Sequence, residues 1–119
     1  MKFRTIDNTK LRVSELCMGT MTMGWQTDER ESIQILDRAY DAGINFFDTA
    51  DVYSRWVEGN PGGVAETFIG KWLKTKSRDH IVIATKVRGR MWDGDDGEGL
   101  SRKHILRACK ESLQRLQVE

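Results

Sequence analysis

The sequence predicts an α/β protein built from successive βα units, and three observations carry that prediction. Ile81-Val82-Ile83-Ala84 is apolar at successive positions instead of alternating, as in a parallel strand covered by helices on both faces. Three segments place apolar residues at helical spacing, and each follows a short apolar strand. Glycines stand where helices must stop and loops must turn, Gly43 and Gly59-Asn60-Pro61-Gly62-Gly63 among them.

Taken in order, Lys2 to Thr5 and Leu11 to Val13 read as a short hairpin joined by Asp7-Asn8-Thr9-Lys10. Glu15 to Gly19 follows as a first buried strand. Thr27 is the expected N-cap of a helix whose first turn carries Asp28 and Glu29, where the helix dipole favours acids. Ile33, Leu36 and Tyr40 mark its apolar face until Gly43 ends it. Asn45 to Asp48 is the second strand. The glycine-rich loop leads to a helix with Val64, Phe68, Ile69, Trp72 and Leu73 on one face, then to a third strand over Ile81 to Lys86. Ser101 caps a last helix with the stripe Ile105, Cys109, Leu113 and Leu116. Three such units cannot close a barrel, and an open three-stranded sheet exposes a face and two edges. The expectation is therefore that residues 1–119 are the N-terminal part of a single longer domain, stopping before a fourth strand. A small three-layer domain completed by a partner chain is the alternative.

Composition narrows the function. Nineteen Lys plus Arg against 18 Asp plus Glu leave no basic excess for nucleic acid or a membrane surface, so a small neutral substrate or soluble cofactor fits better. Cys17 and Cys109 make no disulfide framework and read as small core residues; the first residues lack the apolar core of a signal peptide. No apolar run approaches the roughly 20 residues of a membrane helix. These features predict a reduced, cytoplasmic protein.

The chemistry concentrates at two strand ends. Neighbouring parallel strands lie roughly 4.8 Å apart, so the ends of the second and third strands can bring Asp48, the loop residue Tyr53 and Lys86 into contact. An ammonium beside a phenol favours the phenolate, and a carboxylate beside the ammonium keeps it charged and oriented. Such a tuned proton donor suits a carbonyl oxygen that gains negative charge as hydride reaches its carbon.

Through Leu16-Cys17-Met18-Gly19-Thr20, Ala42-Gly43-Ile44-Asn45-Phe46-Phe47-Asp48-Thr49-Ala50, Tyr53 and Ile83-Ala84-Thr85-Lys86, the sequence resembles the aldo-keto reductase family over almost its whole length. Gly99-Leu100-Ser101 and Glu111-Ser112-Leu113-Gln114-Arg115-Leu116 resemble that family's third helix. The resemblance implies the hairpin and first three βα units of a (β/α)8 TIM barrel that reduces aldehydes or ketones with NADPH, less often NADH. Carried over by position, Tyr53 is the general acid, Lys86 its tuning partner and Asp48 the carboxylate orienting Lys86. Gly19, Thr20, Met21 and Asp48 would lie near the nicotinamide and its ribose. The family also has a histidine near the end of strand four; His80 and His104 fall elsewhere in this sequence. The loops that grip the cofactor's phosphates belong to the family's last strands, so the isolated 119-residue chain is expected to be inactive.

Plainer readings stand beside these. An isolated Asp-x4-Tyr is usually a loop carboxylate and a half-buried tyrosine, and Lys86 by itself would be a solvated lysine. Asp51 reads as a turn former. Trp25, Trp56 and Trp92 fall in loops after strands and are candidates for lining a substrate pocket, or for packing under their own loops, while Trp72 reads as core. Asp93 to Glu98 faintly resembles a calcium loop, but its twelfth position is His104, so no metal is expected. Besides a reductase, a non-catalytic cofactor-binding subunit resembling potassium-channel β subunits fits the same residues. A standalone half-barrel with an unrelated ligand ranks below both.

Overall fold

The computed structural model describes residues 1–119. A hairpin comes first: β1 (Phe3–Thr5) pairs antiparallel with β2 (Arg12–Ser14), Arg4 opposite Val13. Three parallel strands follow in the order β3 (Cys17–Gly19), β4 (Phe46–Asp48), β5 (Val82–Ala84). Helix α1 (Glu29–Asp41) connects the first two, α2 (Val64–Leu73) and a 3-10 turn (Arg78–His80) connect the next two, and α3 (Arg102–Leu116) follows β5. The result is three βα units after a hairpin, an open arc of a barrel.

Local signals explain most boundaries. Asp28, not Thr27, caps α1, in a capping box: the Glu31 amide donates to Asp28 Oδ1 at 2.8 Å and the Glu31 carboxylate accepts from the Asp28 amide. Thr27 sits one residue too early; its hydroxyl instead meets Ser32 Oγ at 3.0 Å. At the other end the Gly43 and Ile44 amides donate to the carbonyls of Tyr40 and Ala39, a Schellman closure that puts Gly43 at φ 89°. That backbone region is open to glycine at little cost.

One sheet face packs on the helices. Met18, Phe47 and Ile83 lie level across the three strands, and Phe47 is buried with Leu36, Ile69, Trp72, Leu73, Ile81 and Leu116. Trp72 anchors this core, its ring centroid 4.9 Å from that of Phe47 and its Nε1–H donating to Asp37 at 2.9 Å. Asn45 ties the hairpin to the sheet. Its Oδ1 accepts from the Ser14 amide at 2.7 Å, and its Nδ2 donates to the carbonyls of Arg12 and His80, both at 2.9 Å.

Four expectations need correction. The first parallel strand is not buried, since Cys17 and Gly19 are exposed; they point away from the helices. For the same reason Cys17 is not a core residue, and neither is Cys109, on the outside of α3. The third strand is regular over Val82–Ala84, shorter than expected, and is half-buried, because helices cover one of its faces and the other is open. On α3 Leu116 is buried as expected, but His104, Ala108 and Ser112 take the places expected of Ile105, Cys109 and Leu113, leaving Ile105 and Leu113 partly in solvent. Close approach of α2 is the reason: a Cβ on Gly70 would strike the Arg115 carbonyl, and small side chains on α3 permit that contact.

Asn45→Ala should cost about 3 kcal/mol in urea unfolding, since the Ser14 amide and the two carbonyls lose their partner together. Asn45→Asp should be nearly as damaging, because a carboxylate cannot donate to the carbonyls of Arg12 and His80. Wild-type stability in both variants would show that the hairpin is held by other contacts.

Candidate active site at the ends of the parallel strands

Parallel register sets the site. Gly19, Asp48 and Ala84 are level across β3, β4 and β5. Pairing continues past the strands: the Thr20 amide and hydroxyl both donate to the Asp48 carbonyl, at 3.1 and 2.9 Å, and the Thr49 amide donates to the Ala84 carbonyl at 2.9 Å. Further on, the Asp51 amide donates to the Lys86 carbonyl at 3.2 Å. The backbone carrying Asp48 is thus fixed on both sides before any side chain is considered.

The structure brings Asp48, Tyr53 and Lys86 together. Lys86 Nζ donates to both oxygens of Asp48 and to the Thr49 carbonyl, each at 2.8 Å. It lies 4.9 Å from the centre of the Tyr53 ring, and the Tyr53 hydroxyl donates to Asp48 Oδ2 at 3.4 Å. Partial burial pulls the ammonium pKa down, but the hydrogen bonds and negative charge of Asp48 and Tyr53 outweigh it and hold it above the ordinary lysine range. Lys86 therefore stays charged through the physiological range. Its side chain is 49% exposed and that of Asp48 37%, so the cluster opens outward.

The neighbouring candidates divide. Gly19, level with Asp48, is exposed, as is Met21 two residues on, and nothing stands within 4 Å of where a Gly19 side chain would be. Thr20 is buried with its hydroxyl committed to the Asp48 carbonyl, so its side chain positions Asp48 and does not face the opening. Trp25 and Trp56 meet edge to face with centroids 5.8 Å apart, and Trp56 stands 6.3 Å from Tyr53. Together they make an apolar wall beside the phenol. Trp92 does not join it. Its ring stacks on His104 at 4.8 Å with the Arg107 guanidinium 3.9 Å from its centre, which fixes it against α3. Cys17 lies on the open sheet face, its thiol pushed up by partial burial and by the Asp48 carboxylate. His80 precedes β5 in the 3-10 turn, and His104 is buried beneath Trp92.

Sequence reasoning passed over Glu66. It reads as an acid in the first turn of a helix, where dipole and solvent both suit it, yet it is fully buried. Asp51 is buried too, with one oxygen lacking a partner; burial and the nearby Glu66 raise its carboxyl, against the opposing pull of the Val52 amide, Arg115 and His104.

The sequence signature of the Aldo/keto reductase family matches residues 15–119. An uncharacterised oxidoreductase of Bacillus subtilis, YrpG, is 43% identical over the whole of this chain, which covers 37% of that protein. The protein tas of Escherichia coli is 39% identical over the whole chain, covering 36% of its length. The holo form of an aldo-keto reductase from Bacillus halodurans superposes with a TM-score of 0.82 at 41% identity, over 99% of this chain and 37% of that one. The chain spans little more than a third of the length of these relatives.

Asp51 carries a pH signature. A carboxyl whose folded pKa is raised contributes stability below its unfolded value, near 3.8, and loses it as pH climbs through the folded value. Asp51→Asn cannot ionise, so its unfolding free energy relative to wild type should rise between pH 3.5 and pH 7. A difference independent of pH would mean that Asp51 ionises freely.

Proposed function

The chain belongs to the aldo/keto reductase family, and from that premise we propose that residues 1–119 supply the proton-donating corner of a barrel that reduces aldehydes or ketones with NADPH, or less often NADH. The observation that supports this is the Lys86 ammonium held by both oxygens of Asp48 while the Tyr53 hydroxyl sits on the same carboxylate. Tyr53 donates its phenolic proton to the carbonyl oxygen of the substrate. Lys86 stabilises the phenolate left behind, at a distance where partial desolvation makes the attraction larger than in water. Asp48 orients Lys86.

The opening beside Asp48 fits a flat nicotinamide ring, since Gly19 leaves its floor free of side chain and Met21 offers an apolar edge. When bound, the cofactor supplies the hydride. Trp25 and Trp56 form the wall against which the apolar part of a small carbonyl substrate rests. Trp92 is withdrawn from that role by packing against His104 and Arg107 of α3. In this reading residues 1–119 are one part of a single barrel domain, and turnover belongs to the complete barrel. The protein would work in the cytoplasm, on small molecules and apart from nucleic acid; no helix is long and apolar enough to cross a membrane.

In the complete protein carrying this chain, Tyr53→Phe should lower carbonyl-dependent NADPH oxidation by about 10² to 10⁴ while leaving cofactor affinity nearly unchanged. Lys86→Met should also lower turnover. The Asp48→Asn, Lys86→Met double variant should lose far less than the product of the single losses, because the carboxylate acts through the ammonium. Ordinary turnover in Tyr53→Phe, or strictly multiplicative losses, would favour a cofactor-binding subunit without this chemistry.

A further inference from the structure

Lys86 lies two residues beyond the end of β5, where a single backbone hydrogen bond is all that continues the ladder to β4. Apart from the hydrogen bonds that Lys86 Nζ itself makes, two contacts hold this segment. One is the Asp51 amide on the Lys86 carbonyl at 3.2 Å. The other comes from the residue before it: the Thr85 hydroxyl donates at 2.6 Å to Oε1 of Glu66, in the first turn of α2. The second oxygen of Glu66 accepts from Arg115 Nε of α3, also at 2.6 Å, and Arg115 reaches Ser112 Oγ at 3.3 Å. Glu66 has no exposed surface, while its partner Arg115 keeps a fifth of its side chain in solvent.

A buried carboxylate is an expensive way to join two helices. Ion pairs taken out of water often gain little or nothing beyond their desolvation cost, and apolar residues of similar volume often serve stability as well or better. What an ionised carboxylate adds is direction, since each oxygen makes a short, charge-assisted hydrogen bond with narrow geometry. Here one such bond is spent on α3 and the other on the residue next to the candidate catalytic lysine.

We infer that Glu66 is a positioning residue of the candidate active site: braced by Arg115, it fixes Thr85 so that Lys86 Nζ stays on Asp48 and beside the Tyr53 ring. The inference rests on the reading of Lys86 as the partner of Tyr53. It assigns a role at the candidate site to a buried residue of α2, linking the α2–α3 interface to the geometry of the ammonium.

The test uses the complete protein with Thr85→Val, Thr85→Ser and Glu66→Gln. Thr85→Val keeps the size of the side chain and removes the donor. Its kcat should fall by on the order of 10 to 10² while KM for the carbonyl and cofactor affinity hold, as expected of a catalytic group displaced by less than about 1 Å. The Lys86 side-chain resonance, assigned with Lys86→Arg, should titrate lower, back towards 10.5, as the ammonium loses its acceptors. Thr85→Ser should restore both readings. Glu66→Gln should move them the same way and also lower stability, because Arg115 loses its carboxylate. Wild-type kcat and titration in Thr85→Val, or a loss that serine does not restore, would overturn the inference. A wild type without turnover whose Lys86 titration still answers to Thr85 would overturn the catalytic reading and leave the positioning role intact.

Discussion

The register that sets Asp48 level with Gly19 and Ala84 is the constraint on which the remainder of this structure depends. Side chains alternate faces along a strand, so a slip of one residue would turn Asp48 into the helix-facing core and Phe47 out of it. Burying that carboxylate without Lys86 would cost far more than any loop contact could return. Burial of Phe47 against Trp72 and placement of Asp48 at the opening are two consequences of one alignment. Asn45 pins it from the other end, bonding the hairpin and the 3-10 turn before β5 from one side chain.

The site is preorganised through backbone more than through side chains. Thr20 and Asp51 donate main-chain hydrogen bonds to the carbonyls of Asp48 and Lys86, and the lysine takes the Thr49 carbonyl as its third acceptor. Two faces of the sheet therefore do different work. The face towards α1, α2 and α3 supplies hydrophobic burial, while the open face, with Cys17, Phe46 and Val82 level below Gly19, Asp48 and Ala84, carries the polar cluster at its rim. Exposed Trp25 and Trp56 extend that rim with apolar surface, an arrangement that invites a small ligand with one polar end.

Helix α3 shows how packing distance can override apolar patterning. Ile105 and Leu113 are apolar, yet the buried stripe is His104, Ala108, Ser112 and Leu116. Gly70 lets the Arg115 backbone come close, and Ala108 and Ser112 keep the middle of the seam small. The same closeness brings the Arg115 side chain to Glu66, so the charged contact and the small-residue seam arise from one geometry.

Much of this was legible in the chain itself. Apolar periodicity located every helix and parallel strand, because the periods of 3.6 and 2 are local properties of the backbone. The ordered motif around Asp48, Tyr53 and Lys86 pointed to the cluster that the structure assembles. Boundaries were less sure where two neighbours compete for one job, as Thr27 and Asp28 do for the cap of α1. Tertiary structure alone decided the rest. Which stripe of α3 faces inward, whether Cys17 is covered, that Trp92 turns to His104 instead of Tyr53, and that Glu66 is buried against Thr85 and Arg115 all depend on partners distant in sequence. Local pattern reports what a residue prefers; its surroundings follow from how closely the elements approach, and that distance is a property of the assembled fold.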